Sequence, residues 1–311
     1  MTRVLVLTGP TGVGKTRVAA AIAERAGIEV VSADSRQLYR YLNIGTAKPT
    51  PEERAAVPYH GLDLVPPTER YSAGRYAREA RAWIAGIVVR GRLPVVVGGT
   101  GFYLRALFEG LFAEPALDPG RRERLRAALA ALAGRAGGGE VARWAARLDR
   151  GFDPAGGAQR AARAVEVALL TGRPLSAWQR EAPPAPSGLV PWTAVLALPR
   201  DALAARIDER ARAMLARGLV DEVRRLLAAG LPKDAPGLDA VGYREVVAML
   251  DGRLAEGELA GAIVAATRRY AKRQATWLRG QLRGAVTWLD AAREPGALAD
   301  EVLSGYRAGA S

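Results

Sequence analysis

The segment Gly9-Pro10-Thr11-Gly12-Val13-Gly14-Lys15-Thr16 constrains the fold of this 311-residue chain more than any other. It follows a short apolar run at residues 4–7 and precedes a stretch, 16–26, whose pattern predicts a helix closed by Gly27. A G-x-x-x-x-G-K-[ST] pattern between a strand and a helix is a phosphate cradle. The glycines let backbone N–H groups turn inward, and the helix N-terminus adds partial positive charge. Lys15 supplies a mobile cation and Thr16 a hydroxyl for Mg²⁺.

Further buried strands are predicted at residues 28–32 and 93–97, the latter opening into Gly98-Gly99-Thr100-Gly101 and a helix over 102–109. Strands alternating with helices define an α/β chain, a P-loop NTPase-like parallel sheet flanked by helices. After residue 111 the texture changes, leading into Arg/Ala/Leu segments at 121–133, 141–148 and 159–170 with no strand-like run among them. A linker bearing Pro183, Pro184 and Pro186 ends this stretch, and strand-like 194–198 restores the α/β texture. The expected organisation is a core at 1–114, a helical insertion domain at 115–190, and a second part of the core at 191–311 with a last strand near 285–289. Gly218 and Gly230 are expected as helix C-caps. The triplet Gly137-Gly138-Gly139 reads as a flexible loop.

Composition narrows the chemistry. There is no cysteine and a single histidine, His60, which excludes disulfides, thiol nucleophiles, zinc fingers, histidine triads and multi-histidine metal sites. No apolar run is long enough for a membrane span or a signal peptide, so no membrane partner and a cytoplasmic location are expected. Lys and Arg number 45 against 32 Asp and Glu, a net charge of +13, and all but four of the cations are arginine. Codon bias accounts for Arg over Lys but not for the excess over acids, which points to a polyanionic partner.

Asp34 follows the second strand in Ser32-Ala33-Asp34-Ser35-Arg36-Gln37, at the sheet edge where α/β proteins bind ligands. Two readings stand side by side: a general base facing the phosphate loop, or a helix N-cap for residues 35–40. The strand at 93–97 ends without an acid, which weakens the NTPase reading and admits another diphosphate compound. Thr100 reads as an N-cap, as a site residue, or both. Along the basic C-terminal helix that contains segment 267–277, Ile263, Tyr270 and Trp277 recur every seven residues and are expected to form the buried stripe. Around them Arg268, Arg269, Lys272 and Arg273 form like-charge i, i+4 pairs that call for an anion. Arg206 and Arg210 make another such pair, with Asp208 and Glu209 near enough for surface salt bridges. The stretch 121–180 holds 12 arginines and five acids, the balance of a nucleic-acid clamp.

Together these segments resemble the tRNA dimethylallyltransferase (tRNA isopentenyltransferase) family. The carrying motifs are Gly9 to Thr16, Ser32 to Gln37, Ile44-Gly45-Thr46-Ala47-Lys48-Pro49, Tyr71-Ser72-Ala73, Val97 to Gly101, Gln159-Arg160 through Arg163-Ala164-Val165-Glu166, Val241-Gly242-Tyr243-Arg244-Glu245, and the basic segment 267–277. The resemblance implies transfer of a dimethylallyl group from dimethylallyl diphosphate to N6 of adenine 37 in the tRNA anticodon stem-loop. It makes Gly9, Pro10, Thr11, Gly12, Val13, Gly14, Lys15 and Thr16 a diphosphate site with Mg²⁺ on Thr16, and Asp34 the general base. Lys15, Thr16 and an arginine of the Arg206/Arg210 pair stabilise the leaving diphosphate, the sequence not choosing which arginine. By the same resemblance Asp34, Ser35, Arg36, Gln37, Thr100, Arg122, Gln159, Arg160, Arg163, Gly242, Tyr243 and Arg244 contact tRNA. The charge surplus then reads as two grips, insertion and C-terminal helix, on one anticodon arm of a monomeric enzyme. Three rivals remain: an adenylate-prenylating cytokinin synthase, a P-loop small-molecule kinase binding ATP, and a noncatalytic RNA-binding protein.

Overall fold

A computed structural model of the chain describes all residues except 113–114, 116, 137, 155–156, 182–183, 185 and 310–311. Among the described residues six parallel strands make one sheet: β1 (Thr2–Thr8), β2 (Ile28–Ser32), β3 (Tyr59–His60), β4 (Leu93–Gly98), β5 (Leu189–Ala197) and β6 (Ala285–Asp290). Their spatial order is β3-β2-β4-β1-β5-β6. Val4, Leu5, Val6 and Leu7 are buried because helices cover both faces of a parallel sheet, which is why β1 reads as an unbroken apolar run. Thr8 lies opposite both Gly98 and Val195, and Ser32 opposite Val97. The carboxyl ends of β2, β4 and β1 are therefore level, and the loops that follow them open on the same edge.

Helices α1 (Lys15–Ala23), α2 (Pro51–Ala56), α3 (Ala73–Val89) and α4 (Gly101–Phe108) belong to the first half of the core. α1 stops three residues short of the expected Ala26, because the chain must turn to enter β2 at Ile28. α2 and α3 were not anticipated, yet each carries its start signal. Thr50 and Glu53 form a capping box with Pro51 at the first position, and the Ser72 hydroxyl accepts the Arg75 N–H. β5 begins five residues before the expected 194, its opening half disguised by Pro191 and by partly exposed residues.

The chain divides into two compact units, Met1–Phe108 with Ser187–Ser311, and Glu109–Pro186. In the first, Val18 and Ile22 of α1 share a core with Leu5, Leu7, Leu196 and, from the last helix, Leu298 and Val302. Each such side chain contributes roughly 1.5–3 kcal/mol by leaving water. The second unit is helical: α5 (Pro119–Ala136), α6 (Gly138–Leu148), α7 (Gly157–Thr171) and an unanticipated α8 (Leu175–Glu181), packed around Leu129, Val141, Ala145, Ala161, Ala164 and Val165. Gly138 and Gly139 of the glycine triplet open α6 rather than a loop; Gly137 and linker residues 182, 183 and 185 lie outside the described residues. Where the chain re-enters the first unit, the Ser187 hydroxyl donates to the carbonyl of Phe108 at 2.7 Å.

After β5 come α9 (Arg200–Ala216), α10 (Leu219–Ala228), α11 (Tyr243–Leu250), the 23-residue α12 (Leu259–Gln281), β6 and α13 (Pro295–Ala308). Gly218 and Gly230 follow the last turns of α9 and α10 at φ 89° and 87°, and Gly218 also serves as the N-cap of α10.

Buried Glu29 on β2 receives Arg90 through Nε at 2.9 Å and Nη2 at 2.7 Å, and His60 Nε2 lies 2.7 Å away. The Arg90 bonds hold its pKa at about 2, against the opposing effect of burial, with His60 assisting. An acid whose folded pKa is depressed stabilises above its unfolded value, and that stability is lost as pH falls through the folded one. Glu29→Gln is expected to lower urea stability by ~1–3 kcal/mol near neutral pH. The gap to the unsubstituted protein should narrow as pH drops from the ordinary 4.5 towards 2; a gap independent of pH would refute the ionic account.

Candidate active site

The phosphate loop leaves β1 at Thr8, whose hydroxyl donates to Gly98 O at 2.7 Å. Gly14, at φ 105°, sits in the left-handed region and forms the N-cap of α1, a conformation costly for any residue with a Cβ. Lys15 arches back so that Nζ donates to the carbonyls of Gly9 at 2.9 Å and Pro10 at 3.0 Å. Burial lowers its pKa to about 8; Asp34 opposes the shift and Arg210 adds to it. Val13 braces the turn internally: its side chain is buried, its N–H meets Pro10 O at 3.4 Å, and its carbonyl accepts Arg206 Nη1 at 3.1 Å.

Asp34 stands at the carboxyl end of β2, and of its two readings the N-cap one lacks its helix, since none forms over 35–40. The segment is a run of turns. Asp34 Oδ1 accepts the Arg36 N–H at 2.8 Å, and Thr100 Oγ1 accepts the Ser35 N–H at 3.0 Å. These side chains satisfy N–H groups that a helix would leave open at its start, so the turn needs no helix to follow. The Thr100 hydroxyl thus supports the Asp34 turn. The Gln37 amide is engaged within the scaffold, accepting from Ser32 Oγ and donating to the carbonyls of Thr46 and Ala47.

Asp34 opens onto a cleft of about 230 Å³ whose walls include Thr11, Arg36, Arg210, Asp239, Arg244, Tyr270 and Arg273. Four arginines thus face two carboxylates. Burial pushes the Arg210 pKa down, and Asp34 partly restores it. One helical turn earlier, Arg206 points elsewhere, bonding Val13 O and, at 3.3 Å, Ala291 O. The pair is therefore split between cleft wall and loop brace. Asp208, expected beside these arginines, pairs instead with Arg268 of α12 at 2.8 Å. Arg36 reaches Pro236 O at 3.2 Å and Asp239 at 3.3 Å.

The seam of α12 differs from the expected 263/270/277 stripe. Ile263, Ala266, Ala271, Gln274 and Leu278 are buried, whereas Tyr270 and Trp277 are only partly so. Tyr270 lines the cleft, and the Trp277 indole lies against Gly101, where an added Cβ would collide with it. A Cβ on Gly99 would likewise strike the Gln274 amide. Gln274 received no role from its sequence position. Its signal was a polar residue at i+11 from Ile263, on the helix's apolar face.

Gly242 and Tyr243, expected against tRNA, are buried. The Tyr243 hydroxyl accepts the Gly45 N–H at 3.1 Å and donates to buried Glu222, which also receives the N–H groups of Asn43 and Ile44. Burial, with the Glu222 charge beside it, drives the Tyr243 pKa upward. Arg244 is exposed and pairs with Glu245 at 2.8 Å. In the helical unit Gln159 and Arg160 are exposed, while Arg122, Arg126 and Arg163 converge on buried Glu166.

The IPP transferase family model matches residues 37–281. The chain belongs to this family. A second model, isopentenyl transferase, matches residues 2–57. The tRNA dimethylallyltransferase of Halorhodospira halophila is 48% identical over 292 residues, covering 90% of this chain and 91% of the relative. That of Thermomicrobium roseum is 47% identical, covering 92% and 86%. Among solved structures, the tRNA isopentenylpyrophosphate transferase of Bacillus halodurans aligns at 31% identity and a TM-score of 0.70, covering 99% of this chain and 97% of that one. A eukaryotic dimethylallyltransferase caught acting on tRNA aligns at 25% identity and 0.72, covering 94% and 74%. The P-loop-like α/β sheet with its helical insertion is the fold of this family.

Tyr243→Phe separates a scaffold role from RNA contact. It is expected to cost ~1–3 kcal/mol in urea denaturation, since buried Glu222 and the Gly45 N–H each lose a partner. Affinity for tRNA should stay essentially unchanged in a filter-binding assay; a large loss of affinity without loss of stability would restore the contact reading.

Proposed function

We propose that this chain transfers the dimethylallyl group of dimethylallyl diphosphate to N6 of adenine 37 in tRNA, releasing diphosphate. The observation that carries the reading is the meeting of Asp34 with Arg210 and the phosphate loop at one cleft on the carboxyl edge of the sheet. N6 of the adenine attacks C1 of the prenyl group, the C1–O bond breaks with its electron pair leaving on the diphosphate, and Asp34 takes the proton released from N6. The reacting adenine must leave its stack to enter the cleft, at a cost of a few kcal/mol.

Lys15, Thr16 and Arg210 would hold the diphosphate and oppose its growing charge, in a site where burial strengthens each interaction. Arg206 acts through the loop by holding Val13 O, a positioning role. Thr16, on the first turn of α1, would hold Mg²⁺ together with diphosphate oxygens and water. Among the described residues no group of three His, Asp or Glu side chains could hold a metal ion, and Mg²⁺ bound through substrate phosphates needs no such cage. Bound there, it would neutralise charge on the leaving group.

Ser35, Arg36, Thr100 and Arg244 border the cleft or brace its turn and would guide the anticodon loop; Arg122, Gln159, Arg160 and Arg163 would meet the tRNA backbone from the helical unit. The arginines of that unit and of α12 suit a polyanion far larger than AMP. The two relatives at nearly half identity are named for tRNA rather than for free nucleotides, so the cytokinin-synthase and kinase readings are not favoured. Cytoplasmic residence and a monomeric state accompany this proposal; no helix among the described residues is long and apolar enough to cross a membrane.

Purified protein with dimethylallyl diphosphate and Mg²⁺ should prenylate an unmodified tRNA bearing adenines at positions 36 to 38, and Asp34→Ala should cut turnover roughly 10²-fold while tRNA binding survives. Prenylation of AMP but not of tRNA would overturn the substrate, and unchanged turnover in Asp34→Ala would leave Asp34 a turn residue. Lys15 generates a separate expectation. Its pKa of about 8 means the ammonium is lost above that pH. kcat/KM for the prenyl diphosphate should then fall, approaching tenfold per pH unit, because kcat/KM reports the free enzyme. A flat profile between about pH 8 and 10 would contradict this.

A further inference from the structure

The two sides of α12 carry opposite chemistry. Its outer side exposes Arg269, Lys272 and Arg279, while its inner side buries Gln274 together with Ile263 and Leu278. No step of the transfer uses an amide at that place. A primary amide in an apolar seam is unfavourable unless both of its ends find partners.

Both ends are bonded, and both partners belong to the site. Gln274 Oε1 accepts the N–H of Thr11 at 2.9 Å, and Nε2 donates to Gly99 O at 2.8 Å. The loop it grips has glycines at positive φ at positions 9, 12 and 14, so it has conformational freedom to lose when it is held in one shape. Within the loop the Val13 N–H closes on Pro10 O. The Thr11 N–H, expected in the anion cradle, is taken by Gln274, which leaves the cradle to other N–H groups of the loop and of the first turn of α1.

We infer that Gln274 is a positioning residue, holding the phosphate loop from 263 positions further along the chain in the shape that accepts diphosphate. The inference rests on the diphosphate reading of the loop. It also accounts for Gly99: any side chain there would displace the amide that holds Thr11.

The test compares Gln274→Met, which keeps the bulk and removes the amide, with Leu278→Ala, which weakens the same seam without touching the loop. Affinity for inorganic diphosphate is measured by calorimetry and affinity for an anticodon stem-loop RNA by filter binding, at a temperature where every variant is fully folded. Gln274→Met should weaken diphosphate binding about tenfold and leave RNA binding within about twofold, while Leu278→Ala lowers Tm and leaves diphosphate binding intact. If Gln274→Met fails to fold, Gln274→Asn, whose amide falls one methylene short, is read the same way. Unchanged diphosphate affinity in the Gln274 variant overturns the inference, as does a loss in both variants that tracks their Tm. Failure of the unsubstituted protein to bind diphosphate sinks the reading of the loop and this inference with it.

Discussion

The site depends on how closely backbones approach one another where β4 ends. Residues 98–101 carry a single side chain, that of Thr100, and each glycine admits a different neighbour. A Cβ on Gly98 would strike the backbone of Ala33, one on Gly99 the amide of Gln274, and one on Gly101 the indole of Trp277. The Asp34 turn, the phosphate loop and α12 meet there because nothing stands between them. Thr100, the exception, turns its hydroxyl to the Ser35 N–H and so holds the Asp34 turn rather than filling the space.

Charge is organised by a few buried carboxylates. Glu166 gathers three arginines in the helical unit, Glu29 draws in Arg90 beside His60, and Glu222 collects two backbone N–H groups and the Tyr243 hydroxyl. Each acid is satisfied by several donors, the condition under which a buried charge is tolerated. A cluster of guanidinium groups around one carboxylate keeps a net positive charge and loses much of its side-chain freedom. That is a favourable starting point for binding phosphates, since less ordering remains to be done.

Much of this was legible in the residues, and the failures have physical causes. The central strands and the phosphate loop announce themselves because a strand buried on both faces must be uniformly apolar, and because a phosphate cradle needs glycines at fixed spacing. β5 was half hidden because Pro191 mimics a break. The 35–40 turn looked helical because an Asx turn and a helix N-cap share the same first residue, and only the long-range bond from Thr100 decides between them. The seven-residue spacing of Ile263, Tyr270 and Trp277 suggested a core stripe, but the large rings are drawn to the cleft and to Gly101 while smaller residues fill the seam. Tyr243 sits in a motif that resembles a binding segment, and its burial is a tertiary fact with no local signature.

The bond between Ser187 and Phe108 fastens the two ends of a 78-residue excursion, Glu109–Pro186, to each other within the first unit. An excursion with pinned ends is thermodynamically a loop, and each doubling of loop length adds only about 0.6 kcal/mol of closure entropy. The first unit thus keeps both ends of the excursion at a fixed separation whatever its length. Helices in that interval can lengthen, shorten or be exchanged over evolutionary time at a small entropic cost to the fold that carries the ends.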